Sequence, residues 1–202
     1  QQCKAHVLEF NVIHSQLVRG QKHARGQRVA SFPHFIQGDY HNLPFAPESV
    51  DVFWSLESIE HAYNVSEFLD EAFRVLKSGG RAIIAGTFKG DVEPTQKQTD
   101  QLIVGARAAG VFYDFRTAQE IAWIMSNSGF SNVREQDVTH HVMPSSREMK
   151  RMCQWGLPGA TIGNALGIIP DVMVDNTAWG TYQEDLFADG ITSYHILTAK
   201  KM

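Results

Sequence analysis

Residues 38–80 constrain the fold more than any other stretch of this chain: GDYHNLPFAPESVDVFWSLESIEHAYNVSEFLDEAFRVLKSGG. An acidic turn at Gly38-Asp39 leads through Leu43-Pro44-Phe45 to an apolar run at residues 50–54. That run alternates and then becomes continuously apolar, as a buried parallel strand does. A polar segment, residues 55–64, follows it. From Ser66, the expected cap, a helix would present Phe68, Leu69, Ala72, Phe73, Val75 and Leu76 on one broad face. Gly79-Gly80 is expected to end that helix in a left-handed cap. Residues 81–87 then form the most apolar strand, centred on Ala82-Ile83-Ile84-Ala85.

The flanking sequence extends the same alternation. Residues 5–10 predict a strand, residues 15–25 a helix, and residues 35–37 a short strand reached through Pro33. Thr95 with Gln98, and Thr117 with Glu120, have the spacing of capping boxes and predict two more helix starts. The second of these helices is expected to stop at Asn127-Ser128-Gly129-Phe130. Residues 132–138 and 193–199 predict the last two strands. Between them, residues 139–190 read as irregular, with one helix capped by Ser145 and Glu148. Strands alternating with helices predict a doubly wound α/β sheet, mostly parallel.

Composition narrows the function classes. The 202 residues suit one cored domain, 1–202, without repeats or low-complexity runs. A formal net charge of −4 argues against a nucleic-acid ligand held mainly through phosphates. Two cysteines, Cys3 and Cys153, form neither a disulfide framework nor a metal-ligand spacing, which suits a reducing, cytoplasmic setting. No apolar run is long enough to span a membrane, and no metal site is expected, because the adjacent His140 and His141 would point to opposite sides. The chain starts at Gln1-Gln2 and enters a strand almost at once, so its beginning is expected to be missing.

The order of these elements, with Gly38-Asp39, Leu43-Pro44-Phe45, Trp54-Ser55-Leu56-Glu57-Ser58-Ile59-Glu60-His61 and Gly79-Gly80, resembles the class I S-adenosylmethionine-dependent methyltransferases. The likeness is to the small-molecule branch of sterol, tocopherol and glycine/sarcosine type. It implies a Rossmann-like sheet whose last strand is antiparallel, with a lid-like insertion at about residues 143–190. It also implies S-adenosylmethionine as cofactor and a small-molecule acceptor as partner.

The resemblance carries roles to particular residues. Asn11, in a segment ending at Gln16, would hydrogen-bond the cofactor ribose, since an amide both donates and accepts. Asp39 would accept from the adenine amine, with Tyr40 beside it, while Ser55 and Leu56 would line the cofactor. Glu57 and His61 would face the reaction, His61 as a base, because an imidazole titrates near neutrality. Asp137-Val138-Thr139-His140-His141-Val142-Met143-Pro144 resembles another strand-end segment of this branch, making His140 or His141 a further candidate. Met149, Met152, Trp155, Ile168, Ile169, Met173, Val174, Trp179 and Phe187 would supply an adaptable acceptor pocket or simply helix faces.

One departure stands out. The first strand of such domains, with its glycine-rich loop, is absent, and Gly20 and Gly26 lie too late to replace it. A non-catalytic, methyltransferase-like binding or partner subunit is therefore the rival reading. A nicotinamide-dependent oxidoreductase ranks far behind, since no GxGxxG occurs. Which atom is methylated, which acceptor is used and the oligomeric state are left open by the sequence.

Overall fold

A computed structural model describes residues 5–27, 33–111 and 115–202. The chain forms β1 (Leu8–Asn11), α1 (His14–Gly26), β2 (His34–Gln37), β3 (Val50–Leu56) and a 3-10 turn (Ile59–His61). There follow α2 (Val65–Val75), β4 (Leu76–Lys89), α3 (Gln96–Ala109), α4 (Ala118–Asn127) and β5 (Ser131–Asp137). The chain closes with α5 (Thr139–Ala165), α6 (Asp171–Ala188) and β6 (Thr192–Lys200).

The expected α/β architecture is present, but among the described residues the sheet is in two pieces. β1 and β2 pair in parallel, while β3-β4-β6-β5 form a second sheet. In that sheet β3 and β4 are parallel, and β6 runs antiparallel to both its neighbours. The last strand is antiparallel as expected: β3, β4 and β5 run in one direction and β6 is reversed between β4 and β5, which makes the sheet mixed.

The core lies on one face of the larger sheet. The spacing Val65, Phe68, Leu69, Ala72 gives α2 a continuous apolar stripe. Phe68 and Leu69 pack into a cluster with Ala82 and Ile84 of β4, Ile121 and Met125 of α4, and Leu197 of β6. Fully burying side chains like Phe68 and Leu69 stabilises the fold by about 2 kcal/mol each. Among the described residues nothing covers the opposite face of β3. Val52, Trp54 and Leu56 alternate with the inward Phe53 and Ser55, and Trp54 is 70% exposed. The apolar run was read as a strand buried on both faces; in the structure it is covered on one.

Several boundaries differ from the sequence reading for identifiable reasons. Asn64, not Ser66, caps α2, its Oδ1 accepting from the backbone N–H groups of Ser66 and Glu67. Replacing Asn64 by Ala should cost about 1 kcal/mol in urea unfolding, with an unchanged slope; a loss below a few tenths would assign the cap elsewhere. The helix ends at Val75, four residues before the glycine pair. Gly79 is left-handed, with φ 80°, but it serves a turn inside the β4 segment, where its N–H reaches Lys201 O at 2.8 Å. Both capping boxes, Thr95 with Gln98 and Thr117 with Glu120, form with reciprocal hydrogen bonds.

The largest correction is residues 139–190, which are helical rather than irregular. α5 runs through Pro144 and Pro158, and Ser145 sits inside it, its hydroxyl bonded to Val142 O. Breakers at 144 and 158 hid this helix from the sequence, yet tertiary packing against α6 holds it. A Cβ on Gly180 would lie 2.4 Å from Cys153 Sγ, so α6 approaches α5 closely at that point. Arg147 bonds Glu184 at 2.8 Å and Lys150 bonds Asp185 at 2.5 Å along the same seam. Among the described residues no helix is long and apolar enough to cross a membrane.

Candidate active site

The C-terminal ends of β1, β2 and β3 carry the residues singled out for cofactor binding. In parallel α/β sheets these ends are where ligands collect. Asn11 is the last residue of β1 and pairs in register with Gln37 of β2. Its Oδ1 accepts from Ile13 N at 2.8 Å, and its Nδ2 donates to Gln16 Oε1 at 2.7 Å. Asn11 and Gln16 are therefore brought together, and Asn11 also shapes the turn into α1. The amide keeps one N–H and one lone pair for a ligand.

Asp39 lies just beyond β2, its side chain half exposed. It is held by groups the sequence did not flag. Its Oδ1 accepts from His41 N at 2.9 Å and meets His41 Nδ1 at 2.7 Å, and its Oδ2 accepts from the Tyr63 hydroxyl at 3.3 Å. His41 and Tyr63 stack with ring centroids 3.6 Å apart. Asn64 N donates to His41 Nε2, so the imidazole proton sits on Nδ1, facing the carboxylate. Partial burial works to raise the Asp39 pKa, but the His41 and Tyr63 hydrogen bonds outweigh it and hold the carboxyl below its ordinary range.

Tyr40 packs beside this cluster, its ring centroid 4.8 Å from that of His41. Its ring packs edge-on against Phe68 at 4.8 Å, and its hydroxyl donates to Ser58 O at 3.2 Å. Burial, reinforced by the nearby carboxylates, pushes this phenol's pKa up. Ser55 is buried with its Oγ unpartnered, whereas Leu56 is exposed at the end of β3.

Beyond β3 the chain makes a strained turn into a cavity. Glu57 has φ 47°, in the left-handed region that a residue with a Cβ rarely adopts. Its N–H is satisfied by Ala85 O at 2.9 Å, and Tyr194 of β6 hydrogen-bonds its carboxylate. Burial first, then that bond, raises the Tyr194 pKa. Glu57, Glu60, His61 and Thr87 form the polar end of a cavity of about 360 Å³. Leu102 and Ala106 of α3, Val111, and Trp179 of α6 supply much of its apolar wall. This size and lining suit a small molecule with one anchored polar group.

Glu60 is the residue that sequence reasoning missed. Its Oε1 accepts from Thr87 N at 2.8 Å, while its Oε2 is fully buried without a partner. Burial, and then the charge of Glu57, pushes its carboxyl up to about 7. Gly86 makes the placement possible, since a Cβ there would lie 2.2 Å from Glu60 Oε1. The only sequence signal was a second glutamate three residues after Glu57. Nothing local told which of the two would be turned inward.

His140 and His141 do not line this cavity. They occupy the first turn of α5, with ring centroids 3.7 Å apart. The expectation that they would point to opposite sides fails, because they sit on a helix rather than on an extended strand end. Of the apolar residues noted in the lid-like stretch, only Trp179 reaches the cavity, while Met152, Trp155 and Ile168 are exposed. A larger open groove between α3, α5 and α6, lined by Lys97, Asp100, Lys150 and Tyr182, shares none of the strand-end residues. Among the described residues no group of three His, Cys, Asp or Glu is placed to hold a metal ion.

The chain is similar to methyltransferases in part of its sequence and in its fold. The methyltransferase domain family matches residues 1–84. A ubiquinone/menaquinone biosynthesis C-methyltransferase of Bartonella bacilliformis is 37% identical over 78 residues, covering 39% of this chain and 30% of that protein. A sarcosine/dimethylglycine N-methyltransferase of Aphanothece halophytica is 32% identical over 92 residues, covering 44% and 33%. The chain thus covers about a third of the length of these curated relatives. Phosphoethanolamine N-methyltransferase 2 of Haemonchus contortus, solved with S-adenosylhomocysteine, has the same fold, with a TM-score of 0.76 at 16% identity. That superposition covers 97% of this chain and 44% of the other.

Proposed function

We propose that the chain binds S-adenosylmethionine at the ends of β1, β2 and β3 and transfers its methyl group to a small, partly apolar acceptor in the adjoining cavity. The observation that carries this reading is the adjacency of two features. A strand-end surface presents Asn11 and Asp39, and the cavity holding Glu57, Glu60 and His61 opens just past β3. The residues fit the cofactor's nucleoside end. Two amide positions remain on Asn11 for a diol, and the Asp39 carboxylate, with about four lone-pair positions, can still accept from an exocyclic amine. Exposed Val12 and Leu56 offer apolar surface beside them.

When bound, the cofactor supplies an activated methyl group and a good leaving group, so the protein's tasks are alignment and proton removal. Asp39, oriented by His41 and Tyr63, positions the nucleoside. Glu60, a lining residue whose carboxyl is pushed up to about 7 by burial and by Glu57, is the group we assign to hold or take a proton there, with Glu57 and His61 beside it. In-line displacement is the chemistry such an arrangement would serve. The α5–α6 hairpin, packed on α3, forms the outer wall, and Trp179 is its contribution to the acceptor side.

Among the described residues β1 and β3 each have an unpaired edge, which favours one second reading, a non-catalytic binding or partner subunit. Under the first reading, a strand with a glycine-rich loop would pair between those edges. Calorimetric titration with S-adenosylmethionine and S-adenosylhomocysteine separates the two. Saturable binding, weakened at least about tenfold in Asp39→Ala, is the expected result. A folded chain that binds neither compound, even when extended at its N-terminus by such a strand and loop, would sink the methyltransferase reading.

A further inference from the structure

The face of α5 turned away from α6 is apolar where a solvated helix is polar. Met152, Trp155, Gly159, Ile162 and Leu166 follow at alternating steps of three and four residues, the spacing of a helix–helix seam. Met149, Cys153 and Gly156 are the positions that lie against Gly180 and Thr177 of α6, so the seam is a separate face of the same helix. Among the described residues nothing covers it. Its four large side chains range from 63% exposed at Ile162 to 89% at Trp155, and a Cβ on Gly159 would meet no described atom within 4 Å.

We infer that this seam binds a second copy of the chain, whose α5 packs on it antiparallel about a twofold axis between Ala160 and Thr161. Three observations select that occupant. The seam matches its own reverse. The axis sets Trp155 level with Leu166 of the other copy, and Ile162 level with the space left by Gly159. Charge agrees as well. Residues 152–170 hold no Asp, Glu, Lys or Arg, so joining two seams buries no unpaired charge. Arg151 and Asp171 bracket that span, and reversal turns the basic end of each helix toward the acidic end of the other. Arg151 is exposed and gives one N–H to the equally exposed Glu148 at 3.1 Å, which leaves donors for Asp171. A parallel pair would match like charge with like.

The third observation is area. The four large side chains leave about 600 Å² open on each copy, which with the helix flanks approaches the roughly 800 Å² a side of a standard interface. A bilayer fits less well. The seam runs along the side of α5 for about 21 Å, and the turn beyond it leads to an acidic residue, Asp171, which an anionic lipid surface repels.

Sedimentation equilibrium from about 1 to about 200 μM should show monomer and dimer in exchange, with a midpoint of about 10 μM. Trp155→Glu and Leu166→Lys should each weaken the dimer at least about tenfold, since each sets a charge against an apolar partner. Both positions are exposed, so the urea midpoint at the lowest concentration should match that of the parent. Combined in one chain, the two changes should associate at least about fivefold more tightly than either alone, because antiparallel packing sets carboxylate beside ammonium twice. Trp54→Glu, the same change on the uncovered face of β3, should leave the midpoint unchanged.

A monomer throughout the range would overturn the inference. If that monomer floats with phosphatidylcholine vesicles and Trp155→Glu does not, the seam belongs to a bilayer. A dimer that survives Trp155→Glu, or that Trp54→Glu dissociates, places the contact elsewhere. No recovery in the double variant overturns the antiparallel packing. A dimer lost when the chain is extended at its N-terminus gives the seam to that extension, and the inference falls.

Discussion

Above pH 8, Glu60→Gln is expected to be more stable than the parent chain by about 3 kcal/mol, a gap that closes as pH falls to 4.5. The sign follows from the direction of the shift. Burial and the neighbouring Glu57 raise the folded-state carboxyl from 4.5 to about 7. The folded protein therefore favours the protonated form more than the unfolded chain does. That contribution is complete below the unfolded value near 4.5 and is lost as pH rises through about 7. A shift of roughly 2.5 pH units at about 1.4 kcal/mol each gives the size of the gap. Glutamine is neutral throughout and still accepts from Thr87 N, so its stability lacks this dependence. Urea unfolding of both proteins at pH 4.5, 6, 7 and 8 measures the gap, and titrating groups that do not interact with Glu60 cancel in the difference. Parallel curves would mean that Glu60 is solvated or paired in solution.

The second large effect comes from a residue with no chemistry of its own. Gly86→Ala would place a methyl group 2.2 Å from Glu60 Oε1. The strand cannot yield easily, because β4 is paired on both edges, Ala85 with Leu56 and Gly86 with His195. Glu60 must therefore leave its site and give up the bond to Thr87 N. We expect destabilisation of about 2 kcal/mol from overpacking and the lost hydrogen bond. The displaced carboxyl should titrate close to 4.5 again, and turnover should fall about 100-fold if Glu60 handles the acceptor proton. NMR titration of the Glu60 carboxyl reads the first effect directly. A midpoint that stays near 7 in Gly86→Ala would show that the glycine does not set the position of Glu60.

Both predictions concern a residue that the sequence did not single out, while Asp39 and Asn11 are proposed from the resemblance of their strand-end segments. The difference is one of scale. Asp39 ends a short strand within a Gly-Asp turn, and a strand-end carboxylate can be read locally. That it is oriented by His41 and Tyr63 depends on the chain folding back over the 24-position separation of Asp39 and Tyr63, which no local pattern reports. Tyr40, adjacent in sequence to Asp39, was expected beside the cofactor and instead anchors on Ser58 and Phe68. His140 and His141 were legible as a pair, but their distance from the cavity follows from where α5 begins.

The sequence by itself determined the α/β alternation, both capping boxes and the apolar face of α2. Each is written in residue spacing over a dozen positions or fewer, where backbone geometry dominates. Only the tertiary structure decided the rest. Packing against α6 overrode Pro144 and Pro158 and made α5 continuous. The closeness of β4 to the 3-10 turn, possible only at Gly86, turned Glu60 inward and deprived it of water. Burial and the approach of two carboxylates are properties of chain segments meeting in space, and they set the chemistry of this cavity.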